Sequence, residues 1–300
     1  MEPVAVFVHV HYLDVWEDLA KVLAERMDVP FRLIVTSSLS GEEIVAPATP
    51  HLVEMIVITT ENRGRDIRPF LIAYGSVGGY SIGLKLHTKR STHLFAGDVW
   101  RAEILDSLLP REQGVTAIRR RMEQVPHIGL VAPRGLFLSI GEWMLDNLEG
   151  VARLAETLSL NANRRVIAKG HFPAGSMFWF RRQALEDFSA PELLTMFEEE
   201  TGQVDGTTAH AVERMFAFSA ERRGFVAMPM DTLFEARPDM SDAALRRLSR
   251  SRRAEVSRTL YPFAIHRFVH RYAPFLFSLY RQVPKTFRDR LRKRFGEPRY

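Results

Sequence analysis

The chain has 300 residues, of which 46% are hydrophobic and 26% charged, and it contains no cysteine. That size and balance fit a folded chain with a substantial core. The lack of cysteine excludes disulfides, thiolate metal sites and cysteine nucleophiles. The net charge of +5 is uneven: residues 241–300 carry +12 and residues 1–240 carry −7, so any acidic partner belongs to the tail.

Met1-Glu2-Pro3 lacks a basic leader, so no signal peptide is predicted. No apolar run approaches the roughly 20 residues a spanning helix needs, and the expected location is cytoplasmic. Val4–Val10 reads as a buried strand ending in His9 and His11. Asp14-Val15-Trp16-Glu17 has the spacing of a capping box, and Trp16, Leu19, Leu23 and Met27 mark the inner face of the helix it opens. Phe31–Thr36 is a second strand, which gives the strand–helix–strand start of a mostly parallel sheet. Glu54–Thr59 is a third strand and Ile67–Tyr74 a helix, with Pro69 tolerated in its first turn. Tyr80–Leu86 is a fourth strand.

Further on, Asp98 can cap a helix over Trp100–Leu109, and Val115, Ile118, Met122 and Val125 mark another. His127–Ala132 is a strand, Gly141–Leu158 a helix, Ser176–Arg181 an aromatic strand, Asp205–Arg222 a helix and Gly224–Met230 a short last strand. The composition changes near Pro238–Ser241. The predicted division is an α/β domain over 1–240 and a basic, aromatic-rich helical extension over 241–300.

Four constellations carry chemistry, each with an alternative. Lys85-Leu86-His87-Thr88-Lys89-Arg90-Ser91 gathers cations at a strand end, where open α/β sheets bind ligands. Lys85, His87 and Lys89 alternate and share one face of an extended chain, which suits a phosphate-rich ligand; a solvated basic turn is the alternative. Glu61-Asn62-Arg63-Gly64-Arg65-Asp66 joins a strand to a helix. Gly64 can take a positive φ, Arg65 can meet a phosphate and Asp66 can accept from a base or ribose. Alternatively it is an Asx-type turn with an Arg–Asp surface pair.

Phe172–Arg181 is a small-residue turn entering an aromatic strand. Gly175 and Ser176 permit close approach, and the Trp179 face can stack on a sugar. The alternative is a buried strand, and it suits Met177, Phe178 and Phe180 best. In Asp205–Arg214, His210 and Glu213 share a helical face, and Asp205 either caps the helix or stands before it as a base. For Glu213 the alternative is an internal ion pair with an arginine.

In this order, Asn62–Phe70, Lys85–Ser91, Phe172–Trp179 and Asp205–Arg214 resemble the rhamnan synthesis protein F family of bacterial polysaccharide assembly. The resemblance covers roughly residues 4 to 235, about one domain. It implies glycosyl transfer from a nucleotide-sugar, of rhamnose or another deoxyhexose, in O-antigen or capsular glycan synthesis. The element order also resembles a GT-A core, by fold-level analogy. The acidic D-x-D metal motif of that core is missing, and Lys85-x-His87-x-Lys89 stands near its place.

The resemblance thus implies an inverting transferase with no metal and no cofactor. Lys85, His87, Lys89 and Arg90 would hold the donor diphosphate. His9, Asn62, Gly64, Arg65 and Asp66 would line the nucleotide pocket. Asp205, then Glu213, are the candidate bases, and Gly175, Ser176, Trp179 and His210 face the acceptor. A lipid-linked glycan acceptor is the implied partner.

In the tail, aromatic residues over Leu260–Tyr280 and Phe287, Leu291 and Phe295 alternate with arginines. That mixture suits a helix lying on an anionic membrane surface, placing the protein on the inner face of the plasma membrane; packing onto the core or a second subunit is the alternative. A non-catalytic nucleic-acid or membrane-surface binder is the competing function, and an inactive glycan-binding transferase domain a third. Nucleic acid is not the expected partner, because the core is net acidic and the motif cations cluster at one site rather than along a stripe.

Overall fold

The computed structural model describes residues 2–39, 41–88, 97–112, 114–203, 205–251, 260 and 267–268. The chain runs β1 (Val4–Val10), α1 (Leu13–Arg26), β2 (Phe31–Ser37), β3 (Leu52–Thr59), α2 (Ile67–Ser76), β4 (Ile82–His87), α3 (Gly97–Leu108) and α4 (Gly114–Gln124). It continues through β5 (Ile128–Ala132), β6 (Phe137–Ser139), α5 (Leu148–Thr157), α6 (Arg164–Ile167), β7 (His171–Pro173) and β8 (Phe178–Arg181). After a 3₁₀ segment over Arg182–Ser189 come α7 (Glu192–Thr195), α8 (Thr208–Arg222), β9 (Val226–Pro229), α9 (Met230–Leu233) and α10 (Asp242–Ser251).

Seven strands form one sheet in the order β3-β2-β1-β4-β8-β5-β9. β8 runs antiparallel to both neighbours, and the other pairings are parallel. This is the predicted α/β class, a mostly parallel sheet flanked by helices. β1 and β4 are buried at every position, as strands covered on both faces must be. β3 and β9 are the edge strands; β9 is buried throughout, and the exposure of β3 varies along its length.

Phe7, Phe70 and Phe216 tie β1, α2 and α8 together on one face, with ring centroids 5.5 Å and 5.9 Å apart. On the other face the Trp179 indole N–H donates to the carbonyl of Leu108, the last residue of α3, at 2.9 Å. Met177, Phe178 and Phe180 are buried, as expected.

Two predicted features differ, and one small sheet is new. The helix expected over Gly141–Leu158 begins only at Leu148 and follows a 3₁₀ turn over Leu145–Asn147. The Trp143 carbonyl before it accepts from Arg214 Nε at 2.9 Å, a long-range contact that local periodicity cannot carry. A small sheet of β6 with β7 was not predicted. The capping box at Asp14 does not form: Tyr12 is the N-cap of α1. Thr88 Oγ1 instead accepts from the His11 and Tyr12 amides at 2.9 and 3.1 Å.

Within the predicted extension, α10 packs on β9 and buries Leu245 and Ser249 completely. Arg246 Nη2 donates to the Phe225 carbonyl at 3.1 Å. The aromatic and basic pattern beyond it lies outside the described residues, apart from Leu260, Arg267 and Phe268. No helix among the described residues is long and apolar enough to cross a membrane.

Candidate functional site

The chain leaves β1 towards β2 on one side, and β4 lies on the other, so the sheet order reverses between β1 and β4. Ligands of open α/β sheets bind beyond the carboxyl ends of strands at such a point. His9 and His87 stand there side by side in register, 8% and 4% exposed.

His9 Nδ1 lies 3.1 Å from Thr36 Oγ1, and burial pushes its pKa down from 6.5 to about 4, against the attraction of Asp66. Between those values the unfolded chain binds a proton that the folded chain refuses. Stability therefore falls as the pH drops through this window, and the whole loss, roughly 3 kcal/mol, is reached below about pH 4. Urea midpoints at pH 7 and pH 4.5 are expected to separate more for the wild type than for His9→Asn. An equal separation would remove His9 from the acid response.

Lys85 is 1% exposed. Its ammonium donates to Asp66 Oδ2 at 2.6 Å, to Ser176 Oγ at 2.6 Å and to the Ser176 carbonyl at 2.8 Å. An ammonium has three hydrogens, so these acceptors use all of them. Lys85 therefore joins the Asp66 turn to the Gly175 turn across β4, and it also lies over the Phe70 ring at 5.3 Å. Lys89 and Arg90 lie outside the described residues.

The Gly175 turn is held from three sides. Its carbonyl is 2.8 Å from His87 Nε2, and its amide donates to Glu213 Oε1 at 2.9 Å. Gly175 has φ +86, and a Cβ there would come within 2.7 Å of Trp100 Cη2. Ser176 follows at φ 57. Gly175→Ala is expected to cost roughly 1–3 kcal/mol, the scale of a strained left-handed residue. Thermal denaturation checks this, and an unchanged midpoint would mean that the turn relaxes freely. Trp179 sits two residues after Met177 with no exposed surface, its ring packed in the sheet rather than facing an opening.

The Asp66 turn is closed by Phe197, Glu200 and Gln203, which lie outside the four motifs. Arg63 Nε donates to the Phe197 carbonyl at 2.9 Å. Gly64, at φ +68, lets the Phe197 ring approach to where a Cβ would be 2.5 Å away. Arg65 donates its amide to Glu200 Oε1 at 3.1 Å and its guanidinium to the Gln203 carbonyl. Arg65 thus pairs with Glu200 and Asp66 with Lys85, not with each other. Asn62 is exposed.

α8 begins at Thr208, with Thr207 as its N-cap. The Thr207 amide and hydroxyl lie 3.4 and 2.8 Å from His210 Nδ1. Because an amide can only donate, His210 Nδ1 accepts and its proton sits on Nε2. Glu198 meets the Thr208 amide at 3.0 Å, a carboxylate at the positive end of a helix. Asp205 therefore stands before the helix without capping it. Its Oδ1 accepts from Asn147 Nδ2 at 2.8 Å and lies 3.6 Å from Arg214 Nη2 and 3.7 Å from His210 Nδ1. Its Oδ2 is buried without a hydrogen-bond partner among the described residues. Arg214 also lies 3.9 Å from Glu213 Oε2, the internal ion pair weighed as the alternative for Glu213.

The four constellations thus form one polar chain, running Asp66–Lys85–Ser176–Gly175–Glu213–Arg214–Asp205–Asn147. A family model described as rhamnan synthesis protein F matches residues 1–225. The chain belongs to the rhamnan synthesis protein F family. The WxcX proteins of Xanthomonas campestris pv. campestris, strains B100 and ATCC 33913, are both 35% identical over 223 residues, 73% of this chain. This chain spans only 31% of the length of those relatives. The solved structure of S. aureus TarS 1–349 matches with a TM-score of 0.41 at 12% identity, covering 89% of this chain and 74% of that one. At that score neither structure can stand in for the other.

In this rhamnan synthesis protein F domain, Asn147, Glu198 and Arg214 are the site neighbours the sequence did not single out for a role. Glu198-Glu199-Glu200 before a helix start is a visible signal, since helix N-termini favour carboxylates. Asn147 has none, because only the fold brings it to Asp205. Among the described residues no group of three His, Asp or Glu side chains is placed to hold a metal ion.

Proposed function

We propose that this domain transfers a sugar from a nucleotide-sugar to a hydroxyl of a growing bacterial surface glycan, on a GT-A-like core. The observation that carries the reading is Asp205: a buried carboxylate oxygen without a hydrogen-bond partner among the described residues, beside Arg214 and His210, in a network joining all four motifs. Family membership supports polysaccharide assembly as the setting.

Asp205 Oδ2 takes the proton of the acceptor hydroxyl. The acceptor hydroxyl oxygen bonds to the anomeric carbon from the side opposite the leaving group, and the bond from the anomeric carbon to the diphosphate oxygen breaks. The electron pair leaves with the nucleoside diphosphate, and a single displacement of this kind inverts the configuration. Lys89 and Arg90 supply positive charge to the leaving group, which makes a divalent ion unnecessary. Lys85, with its hydrogens committed, and Glu213, bonded to the Gly175 amide, position the turns. The donor sugar is rhamnose or another deoxyhexose. The acceptor is lipid-linked, and the basic tail holds the protein to the anionic membrane surface.

Thermal shift of the full chain with dTDP, UDP, GDP and their sugars tests this, since a ligand of the native state raises its stability. One nucleotide is expected to raise the midpoint equally with and without EDTA, and the chain is expected to sediment with anionic vesicles at low salt. No shift with any nucleotide would overturn the transfer reading. A shift abolished by EDTA would overturn metal independence, and no sedimentation would overturn membrane docking.

A further inference from the structure

We infer that Asn147 and Asp205 form a two-point subsite that reads neighbouring hydroxyl groups on a pyranose ring. The inference rests on the transfer reading and adds Asn147 as a specificity-determining residue. Asn147 is 1% exposed. Its amide nitrogen donates to Asp205 Oδ1 at 2.8 Å and to the Met144 carbonyl at 3.0 Å, which uses both N–H groups. Its Oδ1 is buried with no hydrogen-bond partner among the described residues, as is Asp205 Oδ2.

Those donor contacts fix the amide orientation: a flipped Asn147 would set its oxygen against two other oxygens. Among the described residues the unit is therefore left with two buried acceptors to satisfy and no donor. Buried acceptors are nearly always satisfied, and leaving one empty costs stability. Two on one hydrogen-bonded pair mark a place for a ligand that donates twice. Phosphate, carboxylate and carbonyl groups do not donate, whereas adjacent sugar hydroxyls do. Asp205 Oδ2 receives the reacting hydroxyl and Asn147 Oδ1 receives a neighbour on the same ring.

The segment before α5 is built to hold this unit. The Trp143 carbonyl accepts from Arg214 Nε at 2.9 Å, and Gly206 lies close enough to Asp146 that a Cβ would stand 3.4 Å from its carbonyl oxygen. Asn147 thereby fixes which of the ring's hydroxyls can reach Asp205, and so the linkage position.

Saturation-transfer NMR on the full chain tests the subsite. The probes are the methyl pyranosides of rhamnose, glucose, galactose and mannose, then the singly deoxygenated forms of the tightest binder, with dTDP, UDP and GDP measured in parallel. Removing either of two adjacent hydroxyls is expected to weaken binding about tenfold, the worth of one buried hydrogen bond. Removing a hydroxyl elsewhere on the ring is expected to change little. In Asn147→Leu, one of the two penalties is expected to vanish while the other persists. If Asn147→Leu fails to fold by circular dichroism, the wild-type series decides alone.

No glycoside binding, equal binding of all deoxygenated forms (the result if a buried water fills the unit), or an unchanged pattern in folded Asn147→Leu would overturn the subsite. Nucleotide binding with a flat glycoside series would sink the subsite and leave the transfer reading standing. Two hydroxyl penalties without any nucleotide binding would do the reverse. If the penalties appear with a nucleotide-sugar but not with the free glycosides, the ring read is the donor's, and the acceptor assignment falls.

Discussion

Lys85→Met is expected to lose about 3–5 kcal/mol of folding stability, the scale for removing one partner of a buried ion pair. Asp66 is 6% exposed, so water cannot take the place of the ammonium. The Ser176 hydroxyl and carbonyl would lose the same donor, and the left-handed Ser176 backbone its main tie to β4. Lys85→Met with Asp66→Leu removes both charges and is expected to recover much of the loss, because well-packed apolar pairs often match buried ionic ones. Urea titration of the three proteins checks this. A Lys85→Met protein as stable as the wild type but unable to bind nucleotide would return Lys85 to the diphosphate site.

Asp205→Asn is expected to lower turnover by roughly 10²-fold or more, the worth of a general base, with little change in the unfolding midpoint. The second half of that expectation comes from the capping geometry. Thr207, His210 and Glu198 satisfy the start of α8, so Asp205 has no amide there to hold. Glu213→Gln is expected to affect activity less, since a glutamine oxygen can still accept from the Gly175 amide. Near wild-type turnover in Asp205→Asn would end its role as base. A large fall in midpoint would make its contact with Arg214 structural.

Much of the fold was legible because its strands are covered on both faces. Val4–Val10 and Phe31–Thr36 read as strands from apolar runs alone, and Trp16, Leu19 and Leu23 set the inner face of α1 through their spacing. The four motifs were legible as a set, and the fold draws them together. Individual roles were not. Lys85 sits in a K-x-H-x-K pattern that resembles a wet basic turn, and nothing local says that Asp66 and Ser176, 19 and 91 residues away, absorb its charge. Trp179 looked able to stack on a sugar, but the helix whose Leu108 carbonyl takes its N–H lies 71 residues earlier. Trp143 matches the period of a helix starting at Gly141. Its carbonyl belongs to Arg214, a demand that no window along the sequence contains.

The single reversed strand has a consequence for the order in which the protein assembles. Among the described residues, β8 alone joins the β3-β2-β1-β4 part of the sheet to the β5-β9 part, and its Trp179 pairs with Leu84, 95 residues earlier. During synthesis the β4 edge must wait for its β8 partner while α3, α4, β5, β6, α5, α6 and β7 emerge from the ribosome. Such a long closure is slow, and an open edge in the meantime invites pairing with other chains. Because Gly175 and Ser176 lie just upstream of β8, the strand that joins the two parts of the sheet also delivers the acceptors for the Lys85 ammonium. Joining those parts and seating Lys85 are thus one step, and Asp205, Glu213 and β9 are added after it.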